Sequence, residues 1–128
     1  MAEPASVSVH PLVNRLRDGI LILDGAMATQ IQSRDLTEAD FRGERFAHHP
    51  SDLIGCNDLL CLTRPDTVRQ IHTAYLEAGA DIISTNTFNA TPVSMEDYGL
   101  AHLVGEINLD AAQLARLAAD GTTATDPA

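Results

Sequence analysis

The sequence predicts an α/β fold in which parallel strands alternate with helices. Two short aliphatic runs, residues 20–23 and 82–83, each lead directly into a polar or small-residue block. The first block is Leu23-Asp24-Gly25-Ala26-Met27 and the second is Ser84-Thr85-Asn86-Thr87-Phe88. A segment with helical spacing follows each one, and that alternation implies a parallel sheet with right-handed crossovers. In such sheets the carboxyl ends of the strands carry the site, so the two blocks are the first places to look for function.

Residues 9–17 read as a short helix, with Leu12, Val13 and Leu16 on one face and Gly19 as its stop. Residues 20–23 read as a buried strand. Residues 24–32 carry Met27 and Ile31 at helical spacing. Residues 33–57 are charged and irregular, anchored by Phe41, Phe46 and Leu53. That is long for a strand-to-helix connection, for which about 2–6 residues is usual.

Residues 63–78 give the clearest helix. Thr63 is its expected cap, Pro65 suits the first turn, and Asp66 suits the positive helix end. Val68, Ile71, Tyr75 and Leu76 form its apolar stripe, His72 lies beside that stripe, and Gly79 ends it. Residues 81–84 are the second strand. A last helix is expected over residues 101–119, with Leu103, Val104, Ile107, Ala111, Leu114 and Ala118 inward and Gly121 as its stop. The organisation expected is therefore a helical lead-in (1–19), an α/β body (20–120) and a flexible tail (121–128). Two strand–helix units are far fewer than the eight of a closed α/β barrel, so the chain reads as the opening piece of one.

Composition excludes several classes. Eighteen acidic and 8 basic residues give a formal charge of −10. Nucleic acid and anionic membranes call for clustered Lys and Arg, so neither is an expected partner, and the acidity reads as a solvated surface. No signal peptide and no membrane span is visible, which makes the cytoplasm the expected location. The two cysteines, Cys56 and Cys61, make no disulfide framework and are a weak metal signal even with His48 and His49 nearby. Asn89-Ala90-Thr91 fits a glycosylation pattern by accident.

Five blocks in order carry a family resemblance. They are Asp24-Gly-Ala-Met-Ala-Thr-Gln-Ile-Gln, Ala39-Asp-Phe-Arg-Gly-Glu-Arg-Phe, Asn57-Asp-Leu-Leu, Ala78-Gly-Ala-Asp-Ile-Ile-Ser-Thr-Asn-Thr-Phe-Asn and Glu106-Ile-Asn. Together they resemble the homocysteine-binding barrel at the start of the cobalamin-dependent methionine synthases, over residues 20–119. The resemblance implies the opening of a (β/α)8 barrel of the homocysteine S-methyltransferase type, truncated. It implies that homocysteine is the substrate and that three cysteines on later strands hold zinc. The zinc-activated thiolate takes a methyl group from methylcobalamin, which 5-methyltetrahydrofolate recharges on separate folate and cobalamin modules. Zinc keeps a bound thiol deprotonated at neutral pH, and thiolate is the nucleophile.

On that resemblance Asp24, Gly25, Ala26, Asn86, Thr87 and Phe88 are the candidate substrate-binding residues. Asp24 would meet the substrate ammonium or hold a neighbouring loop, and the small residues after it would let backbone N–H groups approach the ligand. Asn86 and Thr87 would supply donors to the carboxylate, with Phe88 as a pocket wall. Asn57 and Asp58 are expected to tie the long insertion to the barrel. Two positions depart from the family's common form: Ser84 stands where Glu is usual, and Ala28 where Gly is frequent.

No catalytic residue and no metal ligand is expected within this chain, and neither zinc nor cobalamin is expected to bind to it alone. Three other readings remain open: a non-catalytic remnant, one half of a split enzyme, and a cobalamin-independent homocysteine S-methyltransferase using betaine or S-methylmethionine. The residues 40–46 block argues against the last.

Overall fold

The computed structural model describes residues 9–125. Part of the expected lead-in (1–8) and the end of the expected tail (126–128) lie outside the described residues. Among the described residues seven α-helices follow in order: α1 (Pro11–Asp18), α2 (Met27–Gln32), α3 (Glu38–Arg42), α4 (Leu60–Thr63), α5 (Pro65–Glu77), α6 (Pro92–Glu96) and α7 (Val104–Thr125). Single 3-10 turns, Asn57–Leu59 and Ala101–Leu103, lead into α4 and α7.

The two expected strands shrink to one parallel bridge between Leu23 and Ile82. The Asp24 N–H donates to the Ile82 carbonyl at 2.9 Å, and the Ile82 N–H donates to the Ile22 carbonyl at 3.1 Å. The Asp81 carboxylate accepts the Ile22 N–H at 2.9 Å and fixes the entry end of this ribbon. The strands were expected to be buried; the first is not, with Ile20 92% exposed and Leu23 59%, while Ile82 and Ile83 of the second are half-buried. Among the described residues no further strand lies beside them to cover their apolar side chains.

The core lies in the helical layer instead. α5 packs chiefly on α7, and α4 lies against both. Leu53, Leu59, Leu60, Ile71 and Ile107 are wholly buried there, and the expected anchors Phe41 and Phe46 join them. Small Ala111 and Ala115 on α7 let the neighbouring backbone come close, as tight helix packing requires.

Two helix boundaries differ from expectation. Thr63 ends α4 rather than capping α5, whose N-terminal flanking residue is Arg64 with no side-chain cap. The Thr63 hydroxyl donates back to the Leu59 carbonyl at 3.4 Å. Gly121, expected as a stop, lies inside α7, which continues to Thr125. A glycine is a poor helix former and commonly ends a helix by letting the chain turn left-handed there. Gly79 does so, with φ of 109°, and ends α5 as expected. None of the described helices is long and apolar enough to cross a membrane.

The long insertion is an ordered structure rather than an irregular loop. Thr37 and Asp40 form a reciprocal capping box that starts α3. Arg42, on the last turn of α3, donates to Glu38 and to the carbonyls of Phe46, His49 and Ser51. Glu38 in turn accepts the N–H groups of Leu53 and Ile54 at 2.7 and 2.6 Å. One ion pair thereby takes up five backbone groups between Phe46 and Ile54.

Candidate functional site

The carboxyl ends of the two ribbon strands meet at Asp24 and Ser84. The Asp24 carboxylate accepts the Ser84 N–H at 2.8 Å and the Ser84 hydroxyl at 3.2 Å. An ionised carboxylate has about four acceptor positions, so this tie leaves acceptor capacity on Asp24. Asp24 is half-buried, and the Gly25 and Ala26 beside it are exposed.

Packing leaves little room for a side chain at Gly25. A Cβ placed there would stand 3.0 Å from both Cε1 and Oη of Tyr75. The Tyr75 hydroxyl occupies that space in order to donate to the Ala26 carbonyl at 2.9 Å. α5 therefore fixes the turn that follows the first strand, and Gly25 permits it.

The second block divides in two. Asn86 is buried, and its side-chain amide donates to the Asn57 carbonyl at 2.8 Å and lies 3.7 Å from the Cys61 sulfur. Its carbonyl accepts the Cys61 thiol at 3.6 Å. Thr87 is half-buried, with its hydroxyl 2.7 Å from that of Thr85. Phe88 is 94% exposed and lines no enclosed wall. The six candidate residues thus fall into an open group at Asp24, Gly25 and Ala26, an anchored Asn86, and an outward Thr87–Phe88 arm. Two surface grooves of about 500 and 510 Å³ lie elsewhere, lined in part by Arg34 and Arg64 and by Arg15 and Asp81; neither includes Asp24 or Asn86.

The insertion is tied to this end of the ribbon. Asp58 is buried and accepts the Asn89 N–H at 2.9 Å; burial raises its pKa above the ordinary carboxyl value, with backbone N–H groups opposing. Asn108 donates to the Ala90 carbonyl at 2.9 Å, and Arg45 clasps Glu106 with two hydrogen bonds. The blocks at residues 40–46, 57–60 and 106–108 therefore hold the segments after the two strands against each other.

The two cysteines are buried, and burial pushes the Cys56 thiol up to about 11 and the Cys61 thiol up to about 12. Cys61 is engaged with Asn86, Cys56 faces the Met95 sulfur at 3.9 Å, and no group of three metal-ligating side chains assembles among the described residues.

His72 is the residue whose environment the sequence did not reveal. It is fully buried on α5, and neither ring nitrogen has a hydrogen-bond partner. Burial lowers its pKa from the ordinary imidazole value, and the negative charge of Asp24 acts in the opposite direction.

A family model described as homocysteine S-methyltransferase matches residues 21–127. Two solved structures of the homocysteine methyltransferase MmuM from Escherichia coli are similar to the chain. The oxidised form shares 28% identity with a TM-score of 0.71, over 93% of this chain and 37% of that one. The metallated form shares 27% identity with a TM-score of 0.69, over 92% of this chain and 37% of that one. The chain thus spans little more than a third of the length of the solved relatives it matches.

Proposed function

Because the chain belongs to the homocysteine S-methyltransferase family, we propose that it supplies the opening βα units of a (β/α)8 barrel in which homocysteine is methylated to methionine. The observation that carries this reading is the position of Asp24, a carboxylate with spare acceptor capacity at the carboxyl end of the first strand. Its charge suits the substrate ammonium, and the exposed backbone of Gly25 and Ala26 lets a small ligand approach closely. Asn86 serves that site indirectly, by fixing the loop after the second strand to Asn57.

Within the family we favour the homocysteine-binding module of a cobalamin-dependent methionine synthase. The blocks at residues 40–46 and 57–60 support this, since their side chains build the insertion beside the site. Zinc would then be held by cysteines outside residues 1–128, and cobalamin and folate by separate modules, with the reaction located in the cytoplasm. A second reading, a methyltransferase without cobalamin, draws support from the similarity to MmuM.

The test is an NMR titration of the chain with L-homocysteine. Weak binding that perturbs Gly25, Ala26 and Ser84 amides, and is lost in Asp24→Asn, supports the reading; binding unaffected by Asp24→Asn overturns it. The methyl donor is decided by assaying the complete enzyme with methylcobalamin, S-methylmethionine and betaine in turn.

A further inference from the structure

His72 is wholly buried on α5, and neither ring nitrogen has a hydrogen-bond partner. Buried polar atoms are nearly always paired, and an aliphatic side chain would fill the same place without that cost. The position of the ring gives it a use. It lies one helical turn before Tyr75 on the same stripe. Tyr75 is the side chain that leaves little room at Gly25 and donates to the Ala26 carbonyl. α5 also packs on α2, which starts directly after Ala26. One face of α5 therefore bears on the turn that carries Asp24.

No second charge competes for the ring. On α5 itself Asp66, Arg69 and Glu77 are exposed. Of the elements packed on α5, α2 has no titratable side chain and α4 has only the neutral Cys61 thiol. α7 has Glu106, Asp110, Arg116 and Asp120. Neither these nor Asp81 at the far end of the ribbon acts on the ring; among the described residues Asp24 is the one charge that does. Burial lowers the pKa of the ring below its ordinary value, so the neutral form prevails at pH 7.

We propose that His72 is a positioning residue for ammonium recognition: the neutral imidazole leaves the Asp24 carboxylate to the substrate, and the protonated imidazole supplies Asp24 with a cation of the protein's own. The proposal deepens the reading of Asp24 as partner of the homocysteine ammonium and rests on it. Ring proton and substrate ammonium are like charges around one carboxylate, so each weakens the hold of the other. The coupling is reciprocal. The factor by which ring protonation lowers homocysteine affinity is the factor by which bound homocysteine lowers the proton affinity of the ring. A factor of about three corresponds to a fall of about 0.5 in the pKa of the ring.

The test is NMR of the histidine rings in the chain, titrated from about pH 7.5 to about pH 5 with and without L-homocysteine, with circular dichroism reporting that the fold is kept. In the free chain Asp24→Asn removes the one charge that favours the protonated ring, and the His72 pKa should fall by about 0.5 or more. Asp110→Asn, on α7, should leave it in place. Saturating homocysteine should lower the His72 pKa of the native chain, and homocysteine should bind the protonated form about threefold more weakly or worse. His72→Gln, polar but unable to take up a proton, should bind homocysteine at pH 7 as the native chain does and lose that acid weakening. A His72 pKa unmoved by Asp24→Asn or by bound homocysteine, unfolding before the ring takes up its proton, or an acid weakening retained in His72→Gln overturns the proposal. A His72 pKa that answers to Asp24→Asn in a chain that binds no homocysteine at any pH leaves the coupling of ring and carboxylate standing and overturns the functional reading instead.

Discussion

The carboxylate of Asp24 accepts both the backbone N–H and the hydroxyl of Ser84, so one side chain joins the carboxyl ends of two strands 60 residues apart in sequence. Ser84→Ala removes the hydroxyl bond alone, which is exposed and long. The expected loss is about 0.5–1 kcal/mol, at the lower end for a single intramolecular hydrogen bond. Asp24→Ala removes both bonds and should cost more, about 1–3 kcal/mol. Urea unfolding of the two variants and the double variant should give non-additive losses, because both act on one contact. Ser84→Glu places a second carboxylate beside Asp24 and should destabilise the ribbon end at neutral pH, with partial recovery in acid.

Gly25→Ala tests the approach of Tyr75. The new methyl would sit 3.0 Å from the phenol, so the ring must shift by a few tenths of an ångström and strain its bond to the Ala26 carbonyl. The expected cost is about 1–3 kcal/mol, as for overpacking elsewhere. Tyr75→Phe keeps the ring and loses only the hydroxyl, and should cost about 0.5–1.5 kcal/mol. Thermal melts of the two variants separate steric crowding from hydrogen bonding.

His72 makes folding sensitive to mild acid. Burial holds its folded pKa below the ordinary value of 6.5, so the unfolded chain binds a proton first. This penalty is absent above 6.5 and grows as pH falls from there toward the depressed folded value. His72→Leu should flatten the fall in Tm between pH 7 and pH 5. At pH 7 the same variant should be neutral or stabilising, because it removes two buried nitrogens that have no partner. A large loss at pH 7 would show that the imidazole has a hydrogen-bonding role in solution.

Arg42→Ala should loosen the insertion. It frees the carbonyls of Phe46, His49 and Ser51 together, at an expected cost of about 2–3 kcal/mol for bonds to a charged donor. Limited proteolysis should then cut within residues 43–55 before any other region. Acid should act on the same unit through Glu38. Burial pulls the Glu38 pKa upward, but the Leu53 and Ile54 N–H groups and Arg42 outweigh it and hold the carboxyl below its ordinary 4.5. Its contribution is complete above that value and disappears as pH falls through the lowered one.

Thiol accessibility offers a simpler readout. With both cysteines buried and their thiols pushed up to about 11 and 12, the native chain should react with a disulfide reagent at pH 8 only as fast as it opens. Denaturant should release two thiols promptly. Fast native labelling of Cys61 would contradict its burial against Asn86.

Much of this was written in the sequence where a side-chain pattern maps onto one local structure. The stripe of Val68, Ile71 and Tyr75 produced α5, and Gly79 ended it with a positive φ. The anchors Phe41, Phe46 and Leu53 were legible because large apolar residues in a charged stretch have few other fates. The strands were legible in place but not in exposure, since burial depends on neighbours that a local pattern does not contain. The Arg42–Glu38 hub was hidden, because its partners are backbone groups with no sequence signature. For the same reason Asn86 read as a ligand donor, whereas its amide reaches the carbonyl of Asn57. His72 was visible as a helix residue beside an apolar stripe; its missing partners were not.

The separation between helical layer and ribbon has a temporal meaning. The wholly buried side chains come from α4, α5, α6, α7, the insertion and the turn after α6, and residues 20–24 and 81–84 contribute none. On a ribosome, where a chain emerges from its N-terminus at about 5–20 residues per second, the helical layer can consolidate as soon as α7 has cleared the tunnel. The ribbon, held by a single bridge and largely exposed, would order last and stay the most open part of the chain in the meantime.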